Sequence, residues 1–341
     1  MNWRPSATLE TLRQRAALLA TARHFFAERG LLEVETPALV RYAVTDPHLQ
    51  NIFVAPCTGE ALFLHTSPEF HMKRLLAAGA PDLWQLGKVF RAGEAGTHHE
   101  PEFTLVEWYR HGFTLAQMAD ETCALLTTLA ARAEQLGAPA TSAPQPPLQT
   151  TYQALFRDTL NLDPLTASVE QLQNCARDAL GDRLGVELIA SGASEPTLWL
   201  DLLMSHVVRT RLADTAIAVV RGYPAAHAAL AQLDPADPRI AERFEIFCRG
   251  IEVANGYREL TDAAEQRQRF LADRKFRARL GRPDVVPDPH LLAALDHGLP
   301  DCAGVAVGFD RVVMQVLGLR SLQEAISFPV LESVKPAIGL T

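Results

Sequence analysis

An arginine, a carboxylate and a phenol lie close together in Phe90-Arg91-Ala92-Gly93-Glu94 and, after a short polar loop, His99-Glu100-Pro101-Glu102-Phe103-Thr104-Leu105-Val106-Glu107-Trp108-Tyr109. The pattern predicts two strands joined by a charged loop. Because strand side chains alternate, Phe103, Leu105, Glu107 and Tyr109 share one face, and Thr104, Val106, Trp108 and Arg110 share the other. A carboxylate beside a phenol, above apolar residues, suits an ammonium group, and an arginine at the mouth of the same hairpin suits a phosphate. The combination points to ATP and an amine.

A second hairpin is predicted in Phe244-Glu245-Ile246-Phe247-Cys248-Arg249-Gly250-Ile251-Glu252-Val253, with a two-residue turn at Arg249-Gly250 that sets Phe247 opposite Glu252. Glu245 then lies diagonally from Glu252, ~7–8 Å away at the backbone, a distance two glutamates can close around one hard divalent cation. The same pair also reads as a solvated strand face carrying two acids. Asn255 and Glu259 follow just past the strand, and so many polar groups beside Phe247 and Ile251 are costly to bury without a ligand. Gly304, Ala306 and Gly308 alternate along a later strand and leave one face nearly bare, fit for an adenine ring or for a close helix. Arg311, just beyond, can reach terminal phosphates. The segment lacks the third glycine of a dinucleotide fingerprint. His98-His99 reads as a loop-positioning or phosphate pair, since no third ligand is close in sequence. Ser67 lies in T-S-P-E without a nucleophile elbow and reads as a helix cap that can also touch ligand.

The elements that must position these residues follow from the pattern. Leu9, Leu12, Ala16 and Leu19 have helical spacing and lead to Gly30 as a C-cap, and Leu31–Thr36 alternates as a strand that stops at Pro37. Glu60–Leu64 is predicted as a strand, and Ser67-Pro68-Glu69 as the start of a helix with serine at the cap. Asp262 with Glu265 resembles a capping box. Ala303–Val307 is a last strand, and Asp310–Leu317 a last helix. Residues 137–150 are Pro-, Ala- and Ser-rich and read as an insertion between helical segments of a single catalytic domain spanning 1–341. Hairpins outnumber crossovers, so the fold class is α+β, an antiparallel sheet flanked by helices.

Bulk properties exclude several classes. At 341 residues and 48% hydrophobic, the chain can fill a sizeable core. A formal charge of −8 argues against a broad surface for nucleic acid. Cysteines at 57, 123, 175, 248 and 302 are odd in number and never paired as C-x-x-C, which fits reduced thiols in the cytoplasm. No signal peptide or membrane span is visible.

Taken together, the segments resemble the three signature motifs of class II aminoacyl-tRNA synthetases over nearly the whole chain. The helix ending at Gly30 with Glu33-Val34-Glu35-Thr36-Pro37 is similar to motif 1, which implies a homodimer. Arg91 through Tyr109 is similar to motif 2, and Gly304 to Arg311 to motif 3. The resemblance implies that Arg91 and Arg311 are catalytic. It implies ATP contacts from Arg91, Ala92, Gly93, Glu94, His99 and Glu100 in motif 2, from Glu245 and Ile246, and from Gly308 and Arg311 in motif 3. It also implies Mg²⁺ at Glu245 and Glu252.

Within the class, P-E-F-T, Ser67-Pro68-Glu69 and I-E-V-A-N-G-Y-R-E-L are most similar to the lysine enzymes. Substrate contacts are then implied for Ser67, Pro68, Glu69, Glu107 and Tyr109, and for Glu252, Asn255, Glu259 and Ala306. Glu69 and Ser67 would take the backbone-side amine, and Glu107, Tyr109 and Glu259 the ε-ammonium. Three positions depart from the pattern: Arg91 is followed by Ala92-Gly93 before Glu94, Glu100 replaces asparagine, and Ala306 replaces glycine. Motif 1 begins within the first few dozen residues, where the lysine enzymes carry an anticodon-reading barrel. This arrangement resembles a branch that activates (R)-β-lysine and attaches it to a lysine of elongation factor P, with no tRNA expected. A tRNA-charging enzyme, an amide ligase of the asparagine synthetase branch and a non-catalytic regulatory paralogue are the alternatives. The last would be expected to lose Arg91, Arg311, Glu245 or Glu252, all of which are present.

Overall fold

The computed structural model describes residues 3–55, 59, 61–139, 145–181 and 194–330. They fall into two compact units, one drawn from Met1–Thr141 and Arg258–Val334, the other from Ser142–Tyr257.

The first unit opens with a helix, Leu9–Glu28, capped by Thr8, whose side chain accepts the Thr11 N–H. Its buried stripe includes Leu18, Ala22, Phe25 and Phe26. Gly30, at φ +72°, provides the left-handed turn that ends it. The strand predicted over Leu31–Thr36 shrinks to β1 (Leu32–Glu33), which pairs in parallel with β5 (Leu83–Phe90). Both β1 residues are exposed, so little packing extends the strand. Three short strands, β2 (Leu39–Val40), β3 (Ile52–Val54) and β4 (Leu62–Leu64), form a separate sheet in the order β2-β4-β3. Glu60, where the sequence begins β4, lies outside the described residues.

The hairpin read from the sequence is present: β5 pairs antiparallel with β6 (Glu102–His111), and β6 pairs antiparallel with β11 (Cys302–Gly308). Alternation divides this sheet. On one face Trp84 stacks on Phe26 at 4.4 Å, Trp108 lies 5.1 Å from Phe26, and the Trp108 indole donates to Glu121 of the helix Leu115–Gln135 at 3.0 Å. The opposite face carries Glu107 and Tyr109. Helix packing thus fixes the strands from behind and leaves the front for chemistry. The last helix, Phe309–Val316, follows directly from β11. Its buried Asp310 accepts the Thr104 N–H at 2.7 Å and pairs with Arg15 at 2.5 Å, tying β6 to the first helix.

In the second unit the strand order is β10-β9-β8-β7, with β7 (Leu148–Thr151), β8 (Ala218–Pro224), β9 (Ile240–Cys248) and β10 (Ile251–Arg258). Leu148–Thr150, read from sequence as part of an insertion, is therefore strand, parallel to β8. Its backbone groups find partners that local composition does not reveal. Residues 140–144 of that stretch lie outside the described residues. Helices Tyr152–Leu160, Val169–Leu180 and Pro196–His206 pack Phe156, Leu172, Trp199 and Leu203 against Val220 and Phe247. Both sheets are antiparallel except at β1 and β7, as the hairpin-rich pattern predicts. Among the described residues no helix is long and apolar enough to cross a membrane.

Candidate active site

In the first unit, strand register builds three rows on the front face. Leu83, Tyr109 and Gly304 form one, Gln85, Glu107 and Ala306 the next, and Gly87, Leu105 and Gly308 the third. The bare strip predicted along β11 thus runs beside the carboxylate and phenol predicted on β6. A Cβ on Gly304 would lie 2.4 Å from a Glu259 carboxylate oxygen and 2.5 Å from the Tyr109 ring, so only glycine fits.

Above these rows sits the helix Glu69–Ala77, which begins one residue later than the sequence suggests, with Pro68 as the capping residue. Ser67 still accepts the Glu69 N–H at 3.0 Å, but its hydroxyl donates to Glu107 at 2.7 Å. The Tyr109 hydroxyl donates to the other Glu107 oxygen at 2.7 Å. Lys73, one helical turn after Glu69, pairs with Glu69 at 2.6 Å and with Glu259 at 2.5 Å. Glu107, Glu259 and Lys73 are 2%, 0% and 1% exposed, so water cannot screen them.

Burial and neighbouring charges perturb Glu107, Glu259 and Lys73. Burial pushes Glu107 up to about 7, the nearby Glu69 adds to the shift, and the hydrogen bonds from Tyr109 and Ser67 oppose it. Burial also pushes Glu259 up to about 8 against the pull of Lys73. Burial alone would lower Lys73, but Glu259 and Glu69 outweigh it and raise it, so the lysine is an ammonium. In this cluster the carboxylates Glu69, Glu107 and Glu259 outnumber the ammonium of Lys73.

The loop between β5 and β6 carries the phosphate-binding candidates. Arg91 lies over the Phe103 ring at 5.0 Å and reaches Glu94 at 3.5 Å, and its N–H bonds Pro101. The Ala92 N–H donates to Gln50, and Gly93 has φ +81°. Gly96 and His99 exchange backbone bonds across a tight turn. The Arg311 guanidinium donates to the His98 carbonyl at 3.1 Å, so the histidine pair positions the loop through its backbone. Glu100 is buried and accepts from Gln323 at 2.8 Å and from the Val330 N–H at 3.2 Å. Glu100 braces the loop through these bonds.

In the second unit, Arg249 (φ 49°) and Gly250 (φ 75°) form the expected two-residue turn, with Phe247 opposite Glu252. A Cβ on Gly250 would come within 3.1 Å of the Arg209 carbonyl. The diagonal placement of Glu245 is corrected. The register shifts between Glu252 and Ala254, so Glu245 faces Asn255 directly and the buried Ile246 faces Ala254. The bulge adds a residue to one strand, which pattern alone does not mark. Glu245 accepts from Tyr223 at 2.6 Å and from Arg243 at 2.6 Å, while Arg243 also donates to Asn255 at 3.0 Å. Burial, then repulsion from Glu252, pushes Glu245 up to about 7. Among the described residues no group of three or more His, Cys, Asp or Glu side chains could hold a metal ion. Mg²⁺ needs only one or two carboxylates when substrate phosphates and water complete its shell, so the mutually repelling pair Glu245 and Glu252 fits it.

Sequence reading missed Lys73, Arg243, Tyr223 and Gln323. Only Lys73 left a local signal, the four-residue spacing from Glu69 on one helix face.

The nearly bare strip of β11, the buried Glu107 on β6 and Arg91 at the end of β5 thus belong to one sheet. The family model described as class II tRNA synthetases (D, K and N) matches residues 1–332, and the chain belongs to this family. The chain is 45% identical over 335 residues to the elongation factor P–(R)-β-lysine ligase of Vibrio cholerae, covering 96% of this chain and 98% of that protein. The ligases of the same name from Klebsiella pneumoniae and Edwardsiella ictaluri are 44% and 43% identical, over 96% of this chain and 97% and 98% of their own lengths.

Proposed function

We infer that the chain is an ATP-dependent ligase that activates (R)-β-lysine as an acyl-adenylate and transfers it to the ε-amine of a lysine on elongation factor P. The observation that carries this reading is the largely buried cluster in which Lys73 pairs with Glu69 and Glu259 beside Glu107, which lies on the hairpin that carries Arg91. Buried carboxylates recognise a substrate rich in ammonium groups, because one lacking them leaves the acids unpaired. The names of the relatives supply the particular amine and the acceptor.

In the first step an oxygen of the substrate carboxylate attacks the α-phosphorus of ATP, and the bond to the leaving pyrophosphate breaks. The nucleophile is already ionised, so the protein acts by positioning and charge stabilisation. Arg91 holds the α-phosphate and the attacking carboxylate, and Arg311 holds the terminal phosphate. The motif 2 segment from Ala92 to Glu100 and the face at Gly308 hold the base and ribose. Mg²⁺, when bound at Glu245 and Glu252, neutralises phosphate charge. Ser67 and Glu69 take the amine nearer the carboxylate, and Glu107, Tyr109 and Glu259 take the distal one. In the second step the neutral amine of the acceptor lysine attacks the acyl carbon, AMP leaves, and an amide forms with loss of one proton.

Both units serve this one catalytic domain, which works as a homodimer through the Gly30–Pro37 segment, in the cytoplasm and without tRNA. Exposed Leu32 supports the dimer, and Cys123, Cys175, Cys248 and Cys302, none of which is in a disulfide, support the compartment. ATP–pyrophosphate exchange tests the reading. Strong exchange with (R)-β-lysine and AMP release on adding elongation factor P are expected; preference for α-lysine, or no exchange with either, overturns it.

A further inference from the structure

Lys73 has no place in the two-step reaction, yet it is almost wholly buried among acids. Its ammonium bridges the carboxylates of Glu69 and Glu259 at 2.6 and 2.5 Å. Ser67 accepts the backbone N–H of Glu69 at 3.0 Å and donates to the Glu107 carboxylate at 2.7 Å, which sets Glu107 beside the pair, close enough for Glu69 and Lys73 to act on its charge.

Charge balance decides how such a cluster behaves. Fully ionised, Glu69, Glu107 and Glu259 carry one negative charge each, and Lys73 cancels one of them. Two negative charges remain, the number needed by the two ammonium groups of a diamino acid whose carboxylate is held elsewhere. A sealed pocket tolerates neither excess nor deficit, because an uncompensated charge there is not screened. We propose that Lys73 is a specificity-determining positioning residue, a resident ammonium that sets the pocket to accept two substrate ammonium groups. This rests on the reading of the pocket as the diamine site.

The remaining groups that face the cluster do not change the count. Tyr109 donates to Glu107, and the Cys302 thiol, whose carbonyl accepts the Glu259 N–H, is held neutral by burial. The raised Glu107 and Glu259 agree with a surplus of acids when the pocket is empty.

The inference makes a prediction opposite to that of a purely structural lysine. In Glu259→Gln the pocket retains one net negative charge, and the KM for (R)-β-lysine rises. Adding Lys73→Met to that variant restores two negative charges, so the double variant binds the cationic substrate more tightly than Glu259→Gln alone, by roughly tenfold in KM. It also removes both members of a buried ion pair, which protects the fold where Lys73→Met alone takes the ammonium away from a buried Glu259 carboxylate. The measurement is ATP–pyrophosphate exchange with (R)-β-lysine for wild type, Glu259→Gln and Lys73→Met/Glu259→Gln, with thermal melting of each. A double variant that is folded and has a KM equal to or above that of Glu259→Gln overturns the charge-setting role. If the double variant fails to fold where Glu259→Gln folds, Lys73 is structural and the proposal falls. No exchange by wild type with any diamino acid instead removes the functional reading on which the proposal stands.

Discussion

At the scale of residues, Gly304 and the paired acids set what the pocket admits. A methyl group at 304 would overlap both Glu259 and the Tyr109 ring, at 2.4 and 2.5 Å. Gly304→Ala is expected to cost about 1–3 kcal/mol of stability through overpacking and to raise the amine KM by at least about tenfold, while the KM for ATP stays near that of wild type. Melting curves and two-substrate kinetics separate these effects. Ala306 stands directly across from Glu107. On the proposed reading its methyl narrows the floor against an α-amino group, and Ala306→Gly should then gain exchange activity with α-lysine; no gain would show that selectivity lies elsewhere. The titration of the acids has a definite sign. Glu107 and Glu259 are raised from 4.5 to about 7 and about 8, so from 4.5 up to those values the folded protein holds more protons than the unfolded chain. Their contribution to stability is therefore full below 4.5, falls progressively as pH rises and is wholly lost above about 8, and a bound diamine reverses the loss. Two readouts check this: the KM for (R)-β-lysine should fall by up to about tenfold between pH 6 and 8, and the thermal stabilisation it gives should be larger at pH 8.5 than at pH 6. A KM flat across that range would mean that the carboxylates do not meet the ammonium groups.

At the scale of elements, the loop between β5 and β6 is held from outside its own sequence. Gln323, on the short 3-10 turn Leu322–Glu324, donates to Glu100 and to the Gly96 carbonyl at 2.8 and 3.0 Å, and the Leu322 N–H bonds Thr97. Gln323→Ala should loosen the loop and raise the KM for ATP by roughly threefold to tenfold, with little change in the amine KM, because the proposed amine contacts lie on β6, at the helix Glu69–Ala77 and just past β10, outside that loop. An equal rise in both would place the effect on the whole site. This anchoring also separates what the sequence disclosed from what it hid. The front face of β6, the turn at Arg249-Gly250 and the bare strip of β11 obey short periodicities, so alternation and turn chemistry suffice to read them. The partners of Glu100, the capture of Glu245 by Tyr223 and Arg243, and the use of Asp310 by Arg15 join distant segments or depend on a bulge, and no local pattern encodes them. Leu148–Thr150 was hidden for the same reason: its strand character comes from pairing with β8.

At the scale of the whole molecule, the sign of the net charge bears on the second substrate. A chain at −8 repels a polyphosphate backbone, and phosphate neutralisation supplies most of the sequence-independent affinity of nucleic-acid binders. The Arg-rich helix Ala263–Arg279 does not reverse this, since Arg267, Arg269 and Arg274 pair with Asp296, Glu265 and Asp284. The acceptor is then expected to be a protein amine. With (R)-β-lysyl-adenylate preformed on the enzyme, adding elongation factor P should release AMP in a single turnover, whereas tRNA at the same concentration should leave the rate unchanged. The attacking lysine must be neutral, so the protein-dependent rate should also climb with pH beyond the range in which Glu107 and Glu259 titrate, separating transfer from activation. AMP release that depends on tRNA and steepens as salt is lowered would assign the second step to nucleic acid.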